Sequence, residues 1–408
     1  MKNCFFEGDI LIPQNVDMGK WSVVACDQYT SEREYWDDVE NIVGDTPSTL
    51  RIMLPEIELT GDTTEKIAKI NQTMKDYGNT GLFKEHKDSM IYVERKLSNG
   101  NIRCGLMGVI DLECYDYNKG ATTLVRASEG TVLDRLPPRV KIRKDATYEM
   151  PHVMVLYNDP QDVVLSQVKK NKDTLEKAYD FTLMKKGGEI KGYFLDKNLI
   201  EYVKTSLENI CPDGDAPLLF AVGDGNHSLA TAKQCYENLK KELSPEEVLK
   251  HPSRYALVEI VNIHDKAIEF EPIYRVIFNV NADELISKFD EYYGKASGKE
   301  CHEFEFITKC GVKKVVIKNS PYTLPVGTLQ KFLDEYLPTT SAEIDYIHGE
   351  DVVNSLSQKD NTVGILFEGM SKDGFFKTVT CDGALPRKTF SMGEAHDKRF
   401  YLECRKIK

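Results

Sequence analysis

The chain has 408 residues, of which 41% are hydrophobic, 29% charged and 10% aromatic, and its formal net charge is −12. Such length and balance suit a globular protein of one large domain or, more readily, two. The acidic surplus argues against general affinity for nucleic acid or anionic membranes, which need net basic surface, and no run approaches the roughly 18 apolar residues of a membrane span.

In chain order, residues 21–25 predict a short strand, and Cys26-Asp-Gln-Tyr-Thr-Ser31 a polar turn. Ser31-Glu-Arg-Glu34 reads as a capping box opening a helix through Val39. Asp62 or Thr63 is expected to cap a helix with Ile67, Ile70, Met74 and Tyr77 on one face. Residues 90–95 and 102–110 predict strands joined by the hairpin turn Ser98-Asn-Gly-Asn101. Residues 152–157 follow as a strand, then a helix from Asn158-Asp-Pro160 to Tyr179, then a second hairpin over 181–194. Asp196 is placed to cap a helix carrying Ile200, Val203 and Leu207.

The all-apolar run 218–222 predicts a buried strand that stops at Gly223-Asp-Gly225, and Asn226, His227 and Ser228 open a helix. Ser244-Pro-Glu-Glu247 is another capping box. Residues 255–263 and 267–280 are expected as paired strands around His264-Asp-Lys266. Beyond them lie a helix at 282–294, a strand at 313–318, a helix at 328–337 and a hairpin of 362–367 with 375–379. Irregular alternation and frequent hairpins predict an α/β (α+β) protein of mixed sheets with flanking helices. A boundary near 280 divides an N-terminal α/β region, 1–280, from a C-terminal α+β region, 281–408.

Four segments carry residues suited to chemistry. A buried strand entering a helix through Asp224-Gly-Asn-His-Ser228 can present backbone amides and a helix dipole to an anion, with Asp224 able to hold a metal or orient a hydroxyl. An N-capped helix needs only one such residue and leaves the other polar ones unexplained. Residues 126–143 hold Arg126, Arg135, Arg139, Lys141 and Arg143, a local reversal of the chain's charge whose arginines suit phosphate or carboxylate. Glu129 in this segment is a candidate general base; the plain alternative is a solvated loop stiffened by Pro137-Pro138. Asp27, Gln28 and Tyr29 would reach a sheet edge, or form a turn. Arg275, in Phe270-Glu-Pro-Ile-Tyr-Arg275, suits a bound anion or an ion pair with Glu271.

Nucleotide and hydrolase fingerprints such as Gly-x-x-x-x-Gly-Lys-Ser/Thr and Gly-x-Ser-x-Gly are missing, as is His-Glu-x-x-His. The ten cysteines form no Cys-x-x-Cys pair, and residues 1–9 lack the apolar core of a secretory signal. Reduced thiols and a cytoplasmic location are expected.

These segments resemble a bacterial and archaeal family, domain of unknown function 1015. The resemblance rests on Lys20-Trp-Ser-Val-Val-Ala-Cys-Asp-Gln-Tyr-Thr30, Arg126-Ala-Ser-Glu-Gly-Thr131, Asp134-Arg-Leu-Pro-Pro-Arg139, Asp224-Gly-Asn-His-Ser228, residues 270–275 and Leu385-Pro-Arg-Lys-Thr-Phe-Ser-Met-Gly-Glu394. The family usually carries Asp-Gly-His-His-Arg at the central motif. That motif looks like the phosphate-binding turn of the ParB and sulfiredoxin superfamily, which includes free serine kinases and CTP-binding ParB proteins. Here Asn226 and Ser228 replace its first His and its Arg, and Tyr274 stands where the family favours His.

The resemblance implies a ParB/sulfiredoxin-like core with an additional α/β region. It implies a Mg²⁺-assisted enzyme that uses a nucleotide (ATP, ADP or CTP) to phosphorylate a small hydroxylated metabolite such as serine. Asp224, the metal ligand, and His227 would act with the base Glu129. Gly225, Asn226 and Ser228 would bind phosphate or substrate, as would Arg135, Arg139, Asp27, Gln28, Tyr29 and Arg275. The alternative is a non-catalytic nucleotide- or metabolite-binding regulator resembling a CTP switch. Either reading expects a small-molecule ligand, no nucleic acid, no membrane and, as one assembly, a homodimer.

Overall fold

The computed structural model describes residues 2–59, 61–131 and 136–408, so Asp134 and Arg135 lie outside the described residues. Two compact units form: Met1–Ile268 with Glu394–Lys408, and Glu269–Gly393. The division falls at Ile268, earlier than the expected 280, and residues after Gly393 rejoin the first unit.

The first unit is built on a ten-stranded mixed sheet. Its path runs Lys177–Thr182, Glu189–Phe194, Ile91–Lys96, Ile102–Asp111, Tyr255–Asn262, Met154–Tyr157, Phe220–Asp224, Val125–Ala127 and Tyr115–Asp116, with Phe5–Phe6 also pairing on Ile102–Asp111. The two predicted hairpins supply the antiparallel side. Met154–Tyr157 runs parallel to Tyr255–Asn262 and antiparallel to Phe220–Asp224, which is parallel to Val125–Ala127.

Apolar layers form on this sheet in two clusters. In one, Val155, Phe220, Val222, Val258 and Ile260 meet Val164, Val203 and Leu229 from the helices Val163–Asn171, Lys197–Ile210 and Asn226–Leu239. In the other, Ile91, Val93, Met107 and Leu257 meet Val23, Val24, Trp36 and Val39 together with Phe400 and Leu402 of the C-terminal segment. Central strands buried in this way show continuous apolar runs, which is why 218–222 reads so clearly as a strand.

The second unit holds a six-stranded sheet whose strands pair antiparallel. Its core centres on Phe289, whose ring meets Phe304, Phe306 and Phe332 at 5.0, 5.6 and 5.2 Å.

Several expectations change. Strands Tyr255–Asn262 and Glu271–Phe278 do not pair; each belongs to a different unit's sheet, and the His264 turn begins the crossing. Residues 375–379 lie in the helix Lys372–Cys381, capped by Ser371, with Phe375, Phe376, Thr378 and Val379 buried at helical spacing. The helix predicted to reach Tyr179 ends at Asn171, and Lys177 already starts a strand. Trp21 ends a short helix rather than opening a strand, and Glu32, not Ser31, holds the cap position before Arg33–Val43. Asp196 and the Ser244–Glu247 capping box cap as read. Among the described residues, no helix is long and apolar enough to cross a membrane.

Candidate functional site

The Asp224 motif sits at the end of the strand Phe220–Asp224 and the start of the helix Asn226–Leu239. Gly225 occupies the helix cap position with φ +79°, and a Cβ there would come within 3.0 Å of Val153 Cα. Glycine therefore permits both the left-handed turn and the close passage of the neighbouring strand. Having no side chain, it cannot accept from the amides of the helix's first turn, where Asn226, His227 and Ser228 lie partly exposed. The Gly225 N–H donates to Asp224 Oδ1 at 2.8 Å. A register shift between Met154 and Val155 sets Asp224 opposite Met154, an irregularity of the kind that redirects side chains at strand ends.

The Glu129 segment meets this motif. Val222 is in register with Ala127 across parallel strands, so Ser128 and Glu129 leave the sheet beside Gly223 and Asp224. The Ser128 N–H donates to Asn226 Oδ1 at 3.2 Å, and Asn226 Nδ2 donates to Ser128 Oγ at 3.4 Å. Asn226 thus has a local structural task as well as a place in the first turn of the helix.

Asp27 reaches the site through His152, which sequence reasoning did not single out. His152 is buried just before the strand Met154–Tyr157, and its Cδ2 lies 3.5 Å from where a Gly225 Cβ would stand. Its Nε2 is 3.5 Å from Asp27 Oδ2, and its Nδ1 is 3.0 Å from the Tyr401 hydroxyl. Tyr401 in turn donates to Cys26 Sγ at 3.0 Å. Only the imidazolium donates from both nitrogens, which suits an acidic Asp27 on one side and the Tyr401 oxygen on the other. Burial opposes that charge, yet Asp27, then Asp224, outweigh it against a smaller opposing push from Arg139, and the His152 pKa is raised. Burial works against the Asp27 carboxylate too, but His152 holds it well below the usual range.

The predicted basic cluster is largely committed elsewhere. Arg126 is buried and donates to the carbonyls of Thr123 and Ala216 at 2.9 and 2.7 Å, joining two chain segments. Arg139 lies on the helix Leu136–Arg143, which packs on the motif helix, and pairs with Glu56. Glu56 is bonded through its amide to the Cys26 carbonyl at 2.8 Å, which ties this pair to the Asp27 loop. Arg143 pairs with the buried Glu149, and Lys141 donates to Thr64 Oγ1 at 3.1 Å. Gln28 donates to Asp27 at 3.1 Å, while Tyr29 stacks on Tyr35 with centroids 3.6 Å apart. Arg275 belongs to the second unit; fully buried, it donates to Gln330 and to the carbonyls of Lys388 and Arg387. That is a clamp on the segment 387–388.

Lys398, also missed, brings a cation from the C-terminal segment: its Nζ is 3.4 Å from Asp224 Oδ2. No local pattern announces a lone lysine of this kind, because its meaning depends on where the strand Phe400–Tyr401 pairs.

Among the described residues, no group of three His, Cys, Asp or Glu side chains converges as a metal site. The donors present fit Mg²⁺ only as an ion shared with ligand phosphates, with Asp224 as one carboxylate, the manner in which Mg²⁺ commonly binds.

Residues 11–336 match the family model described as "Protein of unknown function (DUF1015)". No curated protein matches the chain. Similar solved structures include a conserved hypothetical protein from Pyrococcus furiosus, 11% identical with a TM-score of 0.37, covering 73% of this chain and 94% of that one. A free serine kinase in complex with AMP is 11% identical with a TM-score of 0.39, covering 74% and 90%. SbnI with C-terminal truncation from Staphylococcus aureus is 8% identical with a TM-score of 0.36, covering 70% and 82%.

Proposed function

The chain belongs to the DUF1015 family, and for it we propose a nucleotide-dependent phosphotransferase acting on a small hydroxylated metabolite. The observation that carries the reading is the Ser128–Asn226 pair of hydrogen bonds, which holds the Glu129 segment beside the Asp224–His227 turn. A helix N-terminus opened by glycine suits phosphate oxygens, and a carboxylate beside it suits the proton of an attacking hydroxyl. In this reading the motif would be a phosphate turn of the ParB/sulfiredoxin type.

In this reading the backbone amides after Gly225 and the His227 side chain hold the phosphates. Asp224 orients the hydroxyl and is the residue that would hold a Mg²⁺, which would supply charge neutralisation for the phosphates. Glu129 takes the hydroxyl proton as the substrate oxygen forms its bond to the terminal phosphorus. The bond from that phosphorus to the bridging oxygen breaks, and the shortened nucleotide leaves with the electron pair. Ser228, in the first turn of the same helix, would contact the substrate. The first-turn amides of the motif helix would offset the charge that develops on the transferred group.

The test is a nucleotide panel of ATP, ADP and CTP with Mg²⁺, read by thermal shift, followed by mass spectrometry for phosphorylated serine and related hydroxylated metabolites. Glu129→Gln is expected to keep nucleotide binding within about threefold and to lower turnover at least a hundredfold, within the usual span of general-base contributions. Binding by the wild type with no phosphorylated product from any metabolite would replace the enzyme with a ligand-binding regulator.

A further inference from the structure

The C-terminal segment takes no part in the proposed phosphoryl transfer, yet it is fixed across the first unit. The Arg399 carbonyl accepts the Ala25 N–H at 3.0 Å, and Phe400–Tyr401 pairs with Val23–Val24. Arg399 is itself buried, with its Nε 3.2 Å from Glu259 Oε2. The residue just before this anchor is Lys398, whose backbone is therefore held while its four-carbon stem remains adjustable. Its Nζ lies 3.4 Å from Asp224 Oδ2, with 16% of the lysine side chain and 22% of the aspartate exposed.

That separation is long for a charge-assisted hydrogen bond, which normally closes to about 2.7–2.9 Å. Asp224 meanwhile has a second engagement, the Gly225 N–H at 2.8 Å. Among the described residues, the arginines of the basic segment are engaged elsewhere: Arg126 with backbone carbonyls, Arg139 with Glu56 and Arg143 with Glu149. Lys398 is thus a cation aimed at the motif carboxylate by a loose ion pair.

We propose that Lys398 is the phosphate-binding cation of this site: on arrival of a phosphorylated ligand at the Gly225–Ser228 turn, its ammonium shifts from Asp224 to the phosphate. Asp224 is then released toward the hydroxyl or the ligand's metal. A lysine is a suitable point charge for this task, and the exchange replaces one carboxylate charge by a more highly charged phosphate. The inference rests on the phosphate-binding reading of the turn and adds to it a residue that lies outside the span matched by the family, 11–336.

The test uses the full chain and calorimetric titration with two probes, ADP and inorganic pyrophosphate, without Mg²⁺. Lys398→Gln should weaken binding roughly tenfold to a hundredfold, as loss of a charged contact does, while Lys398→Arg stays within about threefold of wild type. Thermal melts establish that each variant is folded. Independently of any variant, ADP or pyrophosphate should protect Lys398 of the wild-type chain from acetylation, read by mass spectrometry. If wild type and Lys398→Gln bind ADP equally, or Lys398 is acetylated at the same rate with bound ligand as without, the inference falls and the phosphate turn stands. If pyrophosphate binds in a Lys398-dependent way and ADP does not bind, the nucleotide falls and Lys398 keeps its role. Binding of neither probe overturns both.

Discussion

His152 holds its Nε2 3.5 Å from Asp27 Oδ2 and its Nδ1 3.0 Å from the Tyr401 hydroxyl, behind the glycine turn that opens the motif helix. Its raised pKa and the lowered pKa of Asp27 set the sign of a pH effect. The histidine contributes stability that is fully present below its unfolded pKa of about 6.5 and is lost as pH rises through its higher folded value. The aspartate contributes stability present above its unfolded pKa of about 3.9 and lost as pH falls through its lower folded value. The pair therefore stabilises most between roughly pH 4 and 6.5. Asp27→Asn should cost about 1 kcal/mol at pH 6, a figure kept small because Asp27 is partly exposed, and much less at pH 9. Urea unfolding at the two pH values checks this, and NMR titration of the imidazole should show its pKa falling in the variant.

Gly225 bears a conformational demand that can be isolated. With φ +79° and backbone of Val153 only 3.0 Å from the site of a Cβ, Gly225→Ala meets both strain and contact. A cost of about 1–3 kcal/mol in unfolding free energy is expected. Phosphate-ligand affinity should fall as well, since the turn that aims the first helical amides must shift. A variant of wild-type stability and affinity would show that the turn does not require glycine.

Much of this site was readable, and the division between what was and what was not is physical. The strand–turn–helix at Asp224 is local: an apolar run, two glycines and a cap position lie within a few residues, so periodicity and turn chemistry suffice. Asp196 and Ser244 are caps for the same reason. What could not be read is pairing over distance. Strands 255–262 and 271–278 have similar composition and follow one another, yet enter different sheets. His152 with Asp27, and Lys398 with Asp224, are joined only by tertiary structure. Residues 375–379 read as a strand in the sequence because their phenylalanines and valine favour strands, although a spacing of one, three and four residues fits a buried helix face.

Arg126 shows how a basic segment divides into structure and chemistry. Its guanidinium is buried on the carbonyls of Thr123 and Ala216, so it positions the strand that delivers Ser128 and Glu129. Arg126→Met should lower stability by about 1.5–3 kcal/mol through loss of charged hydrogen bonds and the carbonyls left without donors. In the folded fraction, ligand affinity should remain within about threefold of wild type. A large loss of affinity without a loss of stability would instead make Arg126 a ligand contact.

Arg405 tests how firmly the C-terminal segment belongs to the first unit. Its Nε donates to Glu149 Oε1 at 2.7 Å, and Glu149 is buried. Glu149 also accepts the Leu257 N–H at 2.9 Å and pairs with Arg143. Burial pushes the Glu149 pKa up, but Arg405, then Arg143, outweigh it and hold the carboxyl below its usual range. Its contribution is therefore present above the unfolded pKa of about 4.3 and lost as pH falls through the lower folded value. Arg405→Met leaves a buried carboxylate with one cation fewer, so unfolding at pH 7 should cost about 2–4 kcal/mol less than in wild type. The deficit should shrink under acid, where Glu149 is protonated in both states. Denaturant curves at pH 7 and at the lowest pH where wild type stays folded measure it, and an equal deficit at both would mean that Arg405 acts through packing and its carbonyl contacts at Pro252 and Tyr255 rather than through Glu149.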